Sequence, residues 1–359
     1  MKGRLIALLE EEGRPGMAAC LDDGRLTDLL VDPPEGDATP RLEAVHRAKV
    51  VRKAPAVGAV FLDLGDGLEG FLKGGKGLAP GDRPLVQIAR YAERGKAVPV
   101  TDEPLFKGRY AILTPHAPGV NVSRRIQDEE ERARLTEAAA GALQAAELAD
   151  GPEEARVGAI LRTAAGGVDP QAVGEDVAAL AALWAEALDR GEAPGLRVDA
   201  PEAEVLAWRD WVDPEPDEVL RGDSRLWDDL GIWDAVAALF EPRVELPGGA
   251  WMAVEPTSAL VAVDVNSGGD FSAATGLKSN LAAVESLPRE LRLRGLGGQI
   301  VLDLAPMGKR ERPKLEAALK RALRRDPVDT QVVGWTPLGH LELTRRRERR
   351  PIAELIAKP

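Results

Sequence analysis

The sequence predicts an α+β fold that is divided into several subdomains. With 359 residues, the chain is too long for one ordinary domain and long enough to bury a sizeable core. Short runs of strand-forming residues separated by turn signals fill residues 1–102, which indicates mainly antiparallel sheet. Nearer the C-terminus, two apolar strand patterns flank one helix pattern, an order that indicates parallel strands joined by a crossover.

Composition is that of a globular protein without a membrane span. The chain is 44% hydrophobic and 30% charged, and no apolar run approaches the roughly 20 residues that cross a bilayer. The N-terminal stretch "MKGRLIALLEEEGR" reaches acidic residues too soon to act as a secretory signal. Cys20 is the only cysteine, which excludes an internal disulfide and provides no zinc site by itself. These features predict a cytoplasmic protein.

Charge is distributed unevenly along the chain. The net charge is −12, which argues against a protein that coats nucleic acid indiscriminately. Residues 289–350 nevertheless contain 16 Lys or Arg and 8 Asp or Glu, a local net charge of +8. This basic segment indicates either a focused site for a polyanion or a solvated helix face followed by a basic tail.

The first part of the chain is predicted to form two small β-structures. Residues 1–44 contain the strand patterns "RLIALLEE" and "GMAACLDDGRLTDLLVD", in which "DDG" is a hairpin turn signal. Residues 45–102 contain strands such as "AVGAVFLDLGDGLEGFLK", spaced as in a small antiparallel barrel. Phe61 and Phe71 lie on the strands either side of "GDGLEG", where they could stack on nucleic-acid bases or pack in the barrel core.

The middle of the chain mixes strands and helices. "KGRYAILTPHAPG" predicts a strand and turn, "DEEERARLTEAAAGALQAA" a helix with acids in its first turn, and "GAILRTAAGG" another strand and turn. The segment "GEAPGLRVDAPEAE" has the composition of a linker. Further on, "ERPKLEAALKRALRRD" predicts a helix with Leu315, Leu319 and Leu323 on one face.

The stretch "ALVAVDVNSGGDF" carries the first candidate for chemistry. Side chains alternate along a strand, so its valines should be buried while Asp264 and Asn266 point together from the other face. The strand "GGQIVLDLAPM" delivers a second carboxylate, Asp303, at its carboxyl end. Because one helix separates the strands, we expect them to be adjacent and parallel, with both carboxylates at the edge where α/β sheets bind ligands. The pair predicts a magnesium site in which Asn266 orients a carboxylate, and the alternative is an Asx turn.

Three motifs resemble the catalytic region of a known nuclease family. "VDVNSG", the block "NLAAVESLPRELRLRGLGGQIVLDLAPM" and "LGHLELTRRR" are similar to the bacterial ribonuclease E/G family. "AVGAVFLDLGDGLEGFL" resembles that family's S-one-type RNA-binding barrel, and "KGRYAILTPHAPGVNVSRRI" with "ILRTAAGG" resembles its 5′-end sensor. The resemblance covers nearly the whole chain.

The resemblance implies a layout of subdomains and an activity. A ribonuclease H-like subdomain would combine residues 1–44 and 196–245, with an S-one-type OB RNA-binding barrel (45–102) and a 5′-sensor region (103–195) inserted between them. Residues 246–359 would form a DNase I-like α/β catalytic subdomain. The implied activity is magnesium-dependent endonucleolytic hydrolysis of single-stranded RNA, including 5′-monophosphorylated RNA, to products with a 5′-phosphate and a 3′-hydroxyl.

The resemblance also implies roles for individual residues. Asp264 and Asp303 would bind one catalytic Mg²⁺ per active site, with Asn266 orienting the first carboxylate. The residues implied in RNA binding are Phe61, Phe71, Lys96, Arg124 and Arg125. The residues implied in sensing a 5′-phosphate are Gly108, Ile112, Arg162 and Thr163. An arginine fork suits a terminal phosphate, although Arg162 could instead form a surface ion pair.

The sequence departs from the family pattern in several places. It has no Cys-Pro-x-Cys segment, so neither zinc nor a zinc-linked dimer is expected, while a homo-oligomer stays open. Asp329 stands where the sensor often contributes an arginine, which predicts weakened or altered sensing, and Pro306 stands in place of a second acid. Two alternatives to an RNA-cleaving enzyme stay open: an RNA-binding regulator or accessory protein of the same fold, and a nuclease that acts on DNA.

Overall fold

The computed structural model describes residues 2–93, 95–148, 157–189, 191–211, 214–269 and 273–359. In these residues the chain forms helices and several separate sheets, which confirms the predicted α+β class. The chain divides into two compact units, one formed by residues 1–37 with 217–359 and the other by residues 38–216. No helix in the described ranges is long and apolar enough to cross a membrane.

Strands dominate both units. In chain order they are β1 (Arg4–Leu9), β2 (Met17–Asp22), β3 (Arg25–Val31), β4 (Val45–Arg47), β5 (Lys49–Ala54), β6 (Ala59–Asp63), β7 (Glu69–Lys73), β8 (Leu85–Ile88), β9 (Val98–Thr101), β10 (Phe106–Lys107), β11 (Ala111–Pro115), β12 (Gly119–Val122), β13 (Val157–Leu161), β14 (Gly195–Val198), β15 (Glu218–Gly222), β16 (Arg243–Glu245), β17 (Trp251–Pro256), β18 (Val261–Asn266), β19 (Gly298–Asp303), β20 (Thr330–Trp335) and β21 (Leu341–Arg345).

Helices pack on these sheets. In chain order they are α1 (Glu129–Ala145), α2 (Pro170–Asp189), α3 (Ala203–Asp210), α4 (Ser224–Asp229), α5 (Ile232–Ala238), α6 (Ala273–Leu293), α7 (Arg312–Leu323) and α8 (Ile352–Leu355). The predicted helices at α1, α6 and α7 are all present. In α7 the three leucines of the predicted apolar face are buried, as expected from their spacing.

The first unit contains a six-stranded sheet in the order β16-β17-β18-β19-β21-β20. Strands β18 and β19 are adjacent and parallel, and α6 is the crossover between them, as the sequence predicted. Val261, Val263 and Val265 are buried in one apolar cluster with residues of α6 and α7. Burial of the valine face leaves the alternate side chains of β18 on the opposite face, which is why its polar residues are accessible.

A second sheet of the first unit has the order β15-β1-β2-β3. The turn between β2 and β3 contains Asp23 and Gly24, both with positive φ, which is the conformation favoured in tight hairpins. β1 also pairs in parallel with β15 (Glu218–Gly222), so the N-terminal strands form one sheet with a strand that lies more than 200 positions later in the sequence. Trp227 of α4 and Ile232 and Val236 of α5 pack in the core of this sheet.

Many arginines of the basic segment 289–350 are used inside the fold. Those with ion-pair partners and largely covered side chains are Arg289, Arg292, Arg294, Arg345, Arg349 and Arg350. Asp326 binds both Arg292 and Arg345. Burial opposes ionisation of Asp28, but Arg349 and Arg292 outweigh it and hold the pKa of that carboxyl below its ordinary value. These six side chains are therefore engaged inside the fold instead of forming a polyanion surface or a solvated tail.

The second unit contains a sheet that curls back on itself, in the order β14-β4-β8-β9-β7-β6-β5. Only Ala48 separates β4 from β5, and the amide of Val50 donates to the carbonyl of Asp82 at 2.8 Å, close to where β8 begins. The sheet's two sides are thereby joined through one nearly continuous strand. The predicted barrel differs from the structure in one pairing, because β7 and β9 run parallel rather than antiparallel.

The predicted linker is part of this curled sheet. Its residues Gly195–Val198 form β14, which pairs antiparallel with β4, so the linker prediction is wrong at these positions. Arg197 is buried and donates to backbone carbonyls that include those of Gly191 and Leu196. A Gly- and Pro-rich composition signals irregular backbone but carries no information about such tertiary contacts.

The remaining sheet of the second unit, β10-β11-β13-β12, packs against α1 and α2. Asp128 caps α1 by accepting a hydrogen bond from the amide of Glu131 at 2.8 Å. Asp176 of α2 accepts from the amides of three successive residues, 109–111, where β11 begins. This carboxylate ties the turn between β10 and β11 to the helix.

Candidate functional site

The carboxylates of Asp264 and Asp303 lie at the same edge of the six-stranded sheet. The two residues are register partners on the adjacent parallel strands β18 and β19. Neighbouring strands are about 4.8 Å apart, so the backbones of these residues are close enough for the carboxylates to share a small cation. Both residues are exposed at the carboxyl ends of their strands. The structure therefore brings together the two acids that the sequence singled out.

Asn266 contacts the first of these acids. Its amide Nδ2 donates a hydrogen bond to Oδ2 of Asp264 at 2.8 Å. The chain turns immediately afterwards at Gly268, which has φ +74° and would place a Cβ only 2.7 Å from the carbonyl oxygen of Gly249. Glycine is therefore required at this turn both for its backbone angle and for space. Of the quoted stretch, Asp270 and Phe271 lie outside the described residues.

His340 is a neighbour of this edge that the sequence reading did not single out. Its Nε2 is 3.7 Å from Oδ1 of Asp303. The imidazole reaches Asp303 because β21 pairs antiparallel with β19, with Leu341 opposite Leu302. The residue just before β21 therefore comes next to the residue that ends β19. The only sequence signal was its place in the matched motif "LGHLELTRRR".

A buried amide on α6 holds the segment that follows Asp303. Asn280 is fully buried, and its Nδ2 donates to the carbonyl of Ala305 at 2.8 Å while its Oδ1 accepts from the amide of Ala305 at 2.9 Å. A Cβ on Gly276 would lie 2.1 Å from the carbonyl oxygen of Pro306, so glycine permits the close approach of helix and loop. Sequence reasoning missed Asn280, although it begins the matched block "NLAAVESLPRELRLRGLGGQIVLDLAPM".

The predicted RNA-contacting aromatics form a pair on the curled sheet. Phe61 and Phe71 are cross-strand partners with ring centroids 5.5 Å apart and ring planes at 71°. Their neighbours Leu62 and Leu72 are buried inside the sheet, so the two half-buried rings lie on its outer face. The guanidinium of Arg52 lies 3.5 Å from the centroid of the Phe61 ring. An accessible aromatic pair beside a cation is a surface on which bases can stack.

The other predicted RNA-binding residues are exposed basic side chains of the second unit. Lys96 lies in a turn and forms an ion pair with Glu93. Arg124 and Arg125 lie in the turn after β12.

The predicted sensor residues come from three segments that meet near the start of β11. Arg162 NH1 donates to the carbonyl of Gly108 at 2.6 Å. A Cβ on Gly108 would lie 2.4 Å from the Asp176 carboxylate, so a side chain here would displace that carboxylate from the amides of residues 109–111. Thr163 is exposed, and its hydroxyl is 3.0 Å from that of Ser123. Ile112 is half-buried on β11, opposite Lys107.

The donor set at Asp264 and Asp303 fits a hard divalent cation. No group of three or more His, Cys, Asp or Glu side chains able to hold a metal ion occurs in the described parts of the chain. Two exposed carboxylates at one sheet edge are nevertheless the sparse oxygen set with which Mg²⁺ is usually bound, since it keeps several waters and takes further ligands from a phosphate. Asn266 leaves one oxygen of Asp264 uninvolved in their mutual hydrogen bond.

Sequence comparison assigns the chain to a family. The ribonuclease E/G family matches residues 106–228 and 204–348, which together cover more than half of the chain. The protein therefore belongs to the ribonuclease E/G family, as the motifs predicted.

Individual relatives match across most of the chain. Ribonuclease G of Salmonella typhimurium (strain SL1344) is 27% identical over 87% of this chain and 74% of its own length. Ribonuclease E of Nostoc sp. (strain PCC 7120) is 31% identical over 78% of this chain and 45% of its own length. Ribonuclease E of Haemophilus influenzae is 28% identical over 97% of this chain and 42% of its own length. The chain thus spans about three quarters of that ribonuclease G but less than half of these ribonuclease E sequences.

Proposed function

We propose that the protein is a metal-dependent endoribonuclease that hydrolyses single-stranded RNA in RNA processing or decay, leaving 5′-phosphate and 3′-hydroxyl products. The observation that carries the proposal is the register of Asp264 with Asp303 on adjacent parallel strands. Membership in the ribonuclease E/G family and relatives named ribonuclease G and ribonuclease E support RNA as the substrate.

In this proposal the two carboxylates hold one Mg²⁺, and no zinc is required. The bound ion would polarise a phosphodiester and offset its developing charge. Asp264 and Asp303 contribute the negative charge that binds it, and Asn266 fixes the orientation of Asp264 through their 2.8 Å hydrogen bond. Asn280 holds the backbone two residues after Asp303 and so limits movement of that strand end.

The proposal extends to the subdomains that the family resemblance implies. We propose an OB-type RNA-binding barrel at residues 45–102, and the curled sheet with parallel β7 and β9 supports it. The parallel pairing of β1 with β15 supports a ribonuclease H-like subdomain built from residues 1–44 and 196–245. Residues 103–195 would form the 5′-sensor region and residues 246–359 the DNase I-like catalytic subdomain.

RNA would be held by aromatic stacking and phosphate contacts. Phe61 and Phe71 would stack on bases, and Lys96, Arg124 and Arg125 would contact the backbone. Arg162, with Gly108, Ile112 and Thr163, would recognise a 5′-monophosphate. The contact between Arg162 and Gly108 supports a common role for these two.

The discriminating experiment is cleavage of a labelled, AU-rich, 5′-monophosphorylated single strand with and without Mg²⁺. Asp264→Asn and Asp303→Asn should each lower the cleavage rate by at least about 100-fold, because each removes a charge that binds the metal. Binding of the same RNA in EDTA should change little. Glu285→Gln is the matched control, since Glu285 is an exposed acid of the same unit that lies on α6 and pairs with Arg321, and α6 packs on the valine face of β18, opposite Asp264.

Each outcome separates the hypotheses. Unchanged turnover in both aspartate variants would refute the assignment of the acid pair. RNA binding without cleavage by the wild-type protein at any Mg²⁺ concentration would favour the RNA-binding regulator instead. Preferential cleavage of a competing DNA strand would favour the deoxyribonuclease.

A further inference from the structure

The side chain of Arg162 is engaged by the C-terminal end of α3. Its NH1 donates to the carbonyl of Arg209 at 3.2 Å as well as to Gly108, and its NH2 is 3.4 Å from Oδ1 of Asp210. A cation suits this end of a helix, where carbonyl groups are exposed and the dipole is negative. The guanidinium that the sensor proposal assigns to a phosphate therefore already faces a carboxylate.

The same carboxylate is held more tightly by a second arginine. Arg209 donates to Asp210 from Nε at 3.1 Å and from NH2 at 2.8 Å, which is a two-pronged contact. Arg209 is also bound to Glu43, and its side chain is only 7% exposed, whereas the Arg162 side chain is 26% exposed. Of the two arginines, Arg162 thus has the longer bond to Asp210 and the greater access to solvent.

We infer that Asp210 sets the specificity of the sensor by competing with the RNA 5′-phosphate for Arg162, an inference that rests on the proposed sensing function. NH1 of Arg162 donates to two carbonyls, so NH2 is the nitrogen that would donate to a terminal phosphate. This same nitrogen faces Asp210. A phosphate carries more charge than a carboxylate and displaces it, while Asp210 keeps its bonds to Arg209.

Competition weakens phosphate binding in two ways. The arriving phosphate must break the contact between Arg162 and Asp210, and it then lies near a carboxylate of like charge. An exposed ion pair of this kind corresponds to about a two- to fivefold change in an equilibrium constant. Asp210 therefore lowers the preference of the sensor for 5′-monophosphate over 5′-hydroxyl ends without abolishing it.

The test measures binding, so it does not depend on cleavage. Fluorescence anisotropy in EDTA gives the Kd of one short single-stranded RNA with a 5′-hydroxyl and of the same RNA with a 5′-monophosphate. We expect Asp210→Asn to raise the ratio of the Kd for the 5′-hydroxyl RNA to the Kd for the 5′-monophosphate RNA by about two- to fivefold. This rise should be smaller in high salt. Asp199→Asn is the matched control, because it removes one exposed carboxylate of the same unit that pairs with Arg41 instead.

Arg162→Ala and the double variant Arg162→Ala/Asp210→Asn complete the design. If Asp210 acts through Arg162, the single variant Arg162→Ala and the double variant should show the same Kd ratio, close to one. The Asp210→Asn change should then have no effect on that ratio once Arg162 is absent. A ratio in Asp210→Asn equal to that of wild type, or a rise that survives loss of Arg162, would overturn the inference. An unchanged ratio in Arg162→Ala would remove the sensor role as well, whereas endonuclease activity is judged separately by the Asp264 and Asp303 variants.

Discussion

Changing Asn280 to alanine should destabilise the protein more than the loss of so few side-chain atoms suggests. The side chain makes two hydrogen bonds with Ala305, at 2.8 and 2.9 Å, and both partners are buried. Alanine would leave the amide and the carbonyl of Ala305 without these partners, and each unsatisfied buried group costs about 1–3 kcal/mol. We therefore expect the free energy of unfolding to fall by about 2–6 kcal/mol. Because Ala305 lies two residues after Asp303, the cleavage rate should fall as well.

Urea denaturation followed by circular dichroism measures this loss. Ser279→Ala is the matched control: Ser279 is also buried on α6, but its hydroxyl donates only to the carbonyl of Thr275 within the helix at 2.9 Å. That variant should lose no more than about 1 kcal/mol. A loss below about 1 kcal/mol for Asn280→Ala, or equal losses for both variants, would refute the view that the amide clamps the segment after Asp303.

Three further outcomes are expected. Burial lowers the pKa of His46, so the folded state favours the neutral ring, and the stabilisation that depends on this neutral form should be complete above the ordinary pKa of 6.5 and decline as the pH falls below it. The melting temperature of His46→Gln should therefore fall less between pH 8 and pH 5 than that of the wild type. Phe61→Ala should weaken RNA binding by about 1–3 kcal/mol in anisotropy titrations. An unchanged Kd would indicate that this ring only packs against its neighbours and does not contact RNA. Gly108→Ala should lower the melting temperature, because the new methyl would meet Asp176, and Gly141→Ala on α1, where nothing lies within 4 Å, should not.

The acid pair shows how far local patterns reach. Alternation alone predicted that the valines of β18 are buried and that Asp264 and Asn266 share the other face, and the structure confirms both. The helix between two apolar strands predicted adjacent parallel strands, and α6 provides that crossover. Such features follow from residues close together in sequence, where periodicity determines which side faces the core.

Contacts between distant residues were not predictable in the same way. His340 reaches Asp303 only because β21 returns antiparallel to β19. Asp210 reaches Arg162 because the end of α3 lies beside the start of the 3-10 turn that follows β13. No spacing rule connects either pair, since their positions are set by packing of whole elements.

The basic segment illustrates the same limit for charge. Counting residues shows an excess of Lys and Arg over residues 289–350, but it cannot show which guanidinium groups face water. Arg345 and Asp326 are both 1% exposed and bind each other, so their charges act inside the unit. Burial of an arginine depends on partners from other segments, which composition does not specify.

By itself, the sequence determined the α+β class, the main helices and strands, the family and the pairing of two acids at strand ends, because each follows from local periodicity or a contiguous motif. Only the tertiary structure decided which arginines are internal, that the Gly- and Pro-rich segment closes a curled sheet, and that Arg162 faces a carboxylate. These depend on which distant residues share a surface, and that is fixed by packing of the core rather than by order along the chain.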